Sequence, residues 1–229
     1  MWAEAAGAEP SLRDELVALA DQAGYQATEV RRALAPGRRK AQEEVQRLEA
    51  AASVTWVFAP VLVVGLAQTR AYADAVFRLG RLVGPVGESR AEVVQARLDR
   101  QAVLEDKTKR FHLLMGEAAL RRQLVPADAM REQLNRLIDL SERDNITIGV
   151  IPFAAEEIAH QYHGFAVIGD PETEDATASV VVLTRIIRIQ AHDEIADYVA
   201  HFESLRSAAL EGEPLRAFLR RLIDDLESS

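Results

Sequence analysis

The sequence contains no cysteine, which excludes disulfides, thiolate metal sites and a cysteine nucleophile together. Lysine is almost absent, occurring only at positions 40, 107 and 109. Arginine supplies the other basic charges, a bias we read as the imprint of GC-rich DNA and not of function. Acids outnumber bases by 36 to 27, giving a formal net charge of −9. A dedicated nucleic-acid binder needs clustered positive charge to neutralise phosphates, so the whole chain does not fit that class, although local patches remain. The opening Met1-Trp-Ala-Glu-Ala-Ala-Gly has no basic stretch leading into an apolar one, hence no secretory signal. One charge-free run, Ala50 to Thr69, is long enough to meet the rule of roughly 18 residues for a membrane span. Pro60 and Gly65 interrupt it, and Ser53, Thr55, Gln68 and Thr69 sit at its ends. It reads instead as the end of one helix, an irregular apolar crossing and the start of another. A cytoplasmic protein with no membrane contact and no cofactor is expected.

What the sequence does have is a globular balance, 48% apolar and 28% charged, with ample material for a core. In Asn145 to Phe153, Ile146, Ile148 and Val150 alternate with Thr147 and Gly149 before Pro152. That pattern predicts a buried strand that the proline terminates. Further strands are expected over 110–115, near 164–168 and over 179–189, with an acidic turn at Asp170 to Asp175. Helical periods run over 128–142, over 88–105 and from about Gln68 to Leu79. At the C-terminal end they fall on Ile195, Val199, Phe202 and Leu205, then on Leu215, Phe218, Leu219 and Leu222. The fold class is α/β (α+β): a small mixed β-sheet of about four to five strands flanked by helices, with N-terminal connector helices. Two such connectors are expected, one starting at Ser11 and a second from Pro36 to about Ser53, burying Ala41, Val45, Leu48 and Ala52 and exposing Glu49. The domain division follows: 1–57 a helical connector, 58–229 an α/β domain.

Few residues suggest chemistry. Arg31, Arg32, Arg38, Arg39 and Lys40 form an acid-free cluster, either a phosphate-contacting arm or a solvated helix junction. Arg97, Arg100 and Gln101 share a helical face. With Glu117, Arg121 and Arg122 they make either a bidentate clamp for a carboxylate or phosphate, or a structural salt-bridge network. Gln68, Thr69 and Tyr72 either line a ligand pocket or cap and pack their helix. His160 and His163, with Glu156 or Glu157, lack the fixed helical spacing of a metalloprotease site, so no metal site is expected. His112 and His201 read as structural. Gly80, Gly84 and Gly87 are followed by no Lys-Ser/Thr and form a loop. No nucleophile elbow, carboxylate pair or dinucleotide fingerprint is present, and no enzyme is expected.

Several phrases together resemble a known family. Phe58, Pro60, Gly65, Leu66, Gln68, Thr69, Tyr72 and Ala73 follow its pattern of an aromatic, Pro, apolar residues and Pro-Gly-Leu-Leu-Gln-Thr-x-x-Tyr-Ala, with Val64 in place of the proline and Ala67 in place of a leucine. Arg97, Arg100 and Gln101 match an Arg-x-x-Arg-Gln phrase, and Glu117 to Arg122 match Glu-x-Ala-Leu-Arg-Arg. Asn145 to Phe153 match Asn-Val-Thr-Ile-x-Val-Leu-Pro-Phe, and Leu48 to Ala52 match Leu-Glu-Ala-x-Ala. The chain thereby resembles, over about Leu12 to Leu210, the effector region, a domain of unknown function, of XRE-type helix-turn-helix, antitoxin-like transcriptional regulators of high-GC bacteria. In that family a DNA-binding helix-turn-helix precedes the region. Met1 falls where it would end, so Leu12 to Ser53 are expected to be connector helices, with DNA reached only through the missing helix-turn-helix. The resemblance implies a non-catalytic regulatory module binding a small ligand or a small partner protein encoded nearby. The alternatives are an α/β enzyme acting on a phosphorylated or anionic small molecule, and a homodimerisation scaffold.

Overall fold

The computed structural model describes residues 9–12, 25–79, 89–156, 160–173 and 175–227. Most of the helix expected after Ser11, and the glycine loop after Leu79, lie outside these residues. A seven-stranded mixed sheet organises the rest. Its strands are β1 (Tyr25–Glu29), β2 (Val54–Ala59), β3 (Arg110–Gly116), β4 (Ile146–Ile151), β5 (Phe165–Ile168), β6 (Thr177–Val181) and β7 (Arg185–Ile189), in the order β1-β7-β6-β5-β2-β3-β4. β2, β3 and β4 run parallel, and every other pairing is antiparallel.

The α/β class stands, but the expected four to five strands become seven. β2 escaped detection because it is buried between layers and carries no polar alternation: Trp56, Val57 and Phe58 are consecutive and apolar, the signature of a strand covered on both faces. It occupies what was read as a helix end and an irregular crossing, and the expected division at 57/58 falls inside it. β1 is a polar edge strand with no periodic signal. The run 179–189 is not one strand but part of the β6–β7 hairpin, whose tip exposes Leu183.

The helices are α1 (Val30–Ala33), α2 (Arg38–Ala51), α3 (Arg70–Leu79), α4 (Arg90–Arg100), α5 (Ala118–Arg121), α6 (Ala127–Ser141), α7 (His192–Arg206) and α8 (Gly212–Glu227). A parallel pair cannot be closed by a hairpin, so α3 and α4 carry the chain from β2 to β3, and α6 carries it from β3 to β4. One face of β2–β4 packs Val57, Leu113, Met115, Ile148 and Val150 against Leu134 and Leu137 of α6 and Leu219 of α8. On the other face Phe58, Leu114, Phe165 and Val167 meet Ile195, Phe202 and Leu205 of α7. Glu49 on α2, expected at the surface, is buried, and Leu79, at the end of a helical period, is exposed. Among the described residues no helix is long and apolar enough to cross a membrane.

His112 on β3 behaves as a structural residue. Its ring stacks on Trp56 at 5.7 Å between centroids, and its Nδ1 has no hydrogen-bond partner. Burial, and then the nearby charge of Arg206, push its pKa below the ordinary histidine value. The unfolded chain therefore binds the proton more readily, so acidification through the ordinary histidine pKa costs stability until the folded-state value is passed. His112→Phe is expected to shrink the fall in urea midpoint between pH 7.5 and pH 5. Equal falls in the variant and the parent would remove His112 from the account.

Candidate functional site

The polar residues singled out in the sequence divide into two places. The first is the junction of α2, α4 and the turn after β2. Arg100 and Glu49 form a two-pronged ion pair, with Nε and Nη2 each 2.7 Å from a carboxylate oxygen. The Glu49 side chain is 1% exposed and that of Arg100 11%. Arg97 lies beside them with no acid of its own. Its Nε donates to Gln42 and its Nη1 to Gln68, and its guanidinium sits 4.8 Å above the Phe77 ring. Gly65 permits this approach, since a Cβ there would stand 2.8 Å from the Arg97 Nη1. Gln101 Nε2 closes the group by donating to the carbonyls of Gln68 and Gly65. Burial, and then the charge of Arg100, push the Arg97 guanidinium down to about 9, against the pull of Glu49. One carboxylate thus serves two guanidinium groups, and the junction keeps one positive charge in excess.

Thr69 and Tyr72 belong to the packing around this junction. The Thr69 N–H donates to Gln133, whose own amide donates to the Ala67 carbonyl. The Tyr72 hydroxyl accepts from the Val63 N–H and donates to the Ala119 carbonyl. Gln42, Glu49 and Gln133 were missed as site residues. Each sits on a helix whose period marks it merely as a polar position, and only packing brings it inward.

The second place is the carboxyl edge of the parallel strands, where a pocket of about 350 Å³ opens between Pro60, Gly116, Glu117, Pro152 and Gln161. In open α/β sheets this edge is the usual place for ligands. Glu117 lies at the pocket with both oxygens engaged, one by Arg121 and the other by the Phe153 N–H at 2.6 Å. Arg121 thus pairs with Glu117 as the sequence suggested, whereas Arg97 and Arg100 hydrogen-bond to Gln42, Glu49 and Gln68 and not to Glu117. Arg122 is exposed. These residues do not come together as one clamp, because α4 packs on α2 while Glu117 follows β3.

The basic cluster spans α1 and the start of α2. Arg39 pairs with Glu43 at 2.8 Å, Arg38 reaches the Phe77 carbonyl, and Arg32 and Lys40 are exposed. Arg31 lies in α1, and its side chain is outside the described set. The exposed Tyr162 ring stacks on His201 and meets His160 at a tilt, and no metal-holding group of three ligands occurs among the described residues.

A larger concavity lies elsewhere, between α2 and the sheet. It is a cleft of about 1000 Å³ whose floor is Ala166, Ile168, Thr177 and Ser179 and whose roof is Ala41, Val45 and Leu48. Opposite faces of the same strands explain the space. Phe165, Val167 and Val180 point to α7 and fill that layer, whereas Ala166, Thr177 and Ser179, which line the cleft beside Ile168, are small or hydroxylated. Arg100 borders the cleft, so the junction and the cavity share a wall. Arg188 and Glu44 pair at 2.8 Å along its margin. Sequence reasoning had no access to it, since its lining residues come from distant segments.

The sequence profile of the domain of unknown function DUF5753 matches residues 42–221. No curated protein matches the chain. Among solved structures the chain is similar to one described as "Structure of TrmBL2, an archaeal chromatin protein, shows a novel mode of DNA binding". The identity is 11% and the TM-score 0.38, with 87% of this chain and 60% of that one covered. The chain thus spans about three fifths of that relative's length.

Proposed function

The chain belongs to the DUF5753 family, and from that premise we propose that it is a non-catalytic regulatory module that senses a small ligand in the cleft beneath α2. The cleft is the observation that carries this reading. Its volume of about 1000 Å³ matches ligand sites, which are concave, mainly apolar and furnished with a few polar groups. The location supplies a relay. α2 roofs the cleft and is tied to α4 through Glu49 and Arg100, so an occupant pressing on α2 also loads that pair. The phrases that resemble antitoxin-like regulators of the XRE type support a DNA-binding partner segment ahead of β1 as the receiver of the signal. Arg31, Arg32, Arg38, Arg39 and Lys40 sit at that end of α2, where the first turn carries no acid.

A metabolite library screened by thermal shift tests the reading. Hits are expected to raise the melting temperature of the parent chain by mass action, to lose that effect in Ala166→Trp, which fills the cleft, and to alter amide exchange in α2. Hits that work equally well in Ala166→Trp, or that leave α2 exchange unchanged, would move the site elsewhere. A small partner protein is the second reading, favoured by the apolar lip that Val181, Val182 and Leu183 expose beside the cleft.

A further inference from the structure

We propose that the cleft takes an amphipathic molecule with an aliphatic body and a positively charged amine end, the amine lying against Asp170 and Asp175. The inference rests on the cleft reading and adds the ligand class to it. The body follows from the walls. Ala41, Val45 and Leu48 above, with Ala166, Ile168 and Val181 below, offer aliphatic surface suited to a flexible chain.

Charge decides the end group. Both arginines bordering the cleft are already held by acids: Arg100 by both oxygens of Glu49, and Arg188 by Glu44. The excess charge of Arg97 lies on the α4 side, directed at Gln42, Gln68 and Phe77, and Arg97 does not line the cleft. Lys109 is likewise outside the lining, where it caps the carbonyls of Ala50 and Ala52. The β5–β6 turn, by contrast, places Asp170, Thr173, Asp175 and Thr177 together in one wall. Asp170 accepts one backbone hydrogen bond, from the Glu172 N–H, which leaves acceptor capacity on its carboxylate. Among the described residues neither aspartate meets a basic side chain. An ammonium group with its three donors suits such a set of carboxylates and hydroxyls, while a carboxylate there would face two like charges. The shape and the charge therefore select the same molecule from opposite ends.

Displacement of a neutral fluorescent probe, N-phenyl-1-naphthylamine, from the full chain tests this, with dodecylamine and dodecanoate as competitors below their micelle concentrations. Dodecylamine is expected to displace the probe at a concentration at least about tenfold lower than dodecanoate, the ratio that a difference of about 1.4 kcal/mol gives. The double variant Asp170→Asn/Asp175→Asn should bring the two within about threefold, which is about 0.65 kcal/mol on the same scale. Dodecanoate equal to or better than dodecylamine, or a preference that survives the double variant, overturns the ligand class. Loss of probe binding in Ala166→Trp, or in Ser179→Leu if the first variant does not fold, keeps the cleft as the site even when the class fails. Probe binding unchanged in folded forms of both variants overturns the cleft and the inference together.

Discussion

Arg100→Met is expected to destabilise the chain by about 3–5 kcal/mol, and Glu49→Leu by a similar amount, while the two together cost far less than their sum. The pair lies between α2 and α4 with the carboxylate almost fully buried. Removing either partner leaves the other desolvated without its two hydrogen bonds, and that penalty exceeds the attraction the pair contributed. The single arginine variant is the milder partner loss in one respect, because Arg97 remains near Glu49 as a second positive charge. The glutamate variant has no such remedy: Arg97 and Arg100 would then face each other as two guanidinium groups without an acid. Urea titration of the two single variants and the double variant forms the cycle. Costs that add in the double variant would mean that the pair is not coupled, and α2 would then be held by apolar contact alone.

Gly116→Ala is the second large effect. The backbone here makes a close approach where β3 ends beside β2: a Cβ on residue 116 would stand 2.5 Å from the Pro60 carbonyl oxygen. Real Cβ atoms do not come that near to backbone, and the neighbour is no flexible side chain able to swing away. The strands must separate at the edge that holds Glu117 and the Phe153 N–H. We expect a loss of about 3 kcal/mol, at the upper end of overpacking costs, which for a chain of this size lowers the melting temperature by roughly 6–12 °C. A melting temperature within a degree or two of the parent would mean that β2 and β3 tolerate the spread, and the tight edge would lose its standing as a constraint on the pocket.

The legibility of the sequence differed sharply from element to element. β4 was visible because Ile146, Ile148 and Val150 alternate and Pro152 ends them, and α7 because Ile195, Phe202 and Leu205 recur at helical spacing. β2 was not, because a strand buried on both faces has no alternation and here lies inside a longer uncharged run. β1 was not, because a polar edge strand gains its structure from the pairing of Tyr25 with Ile189 and not from its own composition. Within the candidate site, Arg97, Arg100, Gln101 and Gln68 were picked out by spacing and phrase, and the fold does bring these four together. Their partners Gln42 and Glu49 come from a helix read as an amphipathic connector with Glu49 on its exposed face. A glutamate in an amphipathic helix reads as solvent-facing unless a second helix supplies the cation that draws it in.

By itself the sequence determined the class of the chain: cysteine-free, acidic, mixed α/β, with the helical faces and the central strands written in periodicities of 3.6 and 2. Those signals are local, and a local signal survives without knowledge of neighbours. The tertiary structure alone decided that Glu49 answers Arg100, that Glu117 stands apart from both α4 arginines, and that small residues on β5 and β6 leave a cleft under α2. Each of these depends on which distant segments pack side by side. Desolvation, charge pairing and empty volume are properties of that packing, and no single stretch of chain carries them.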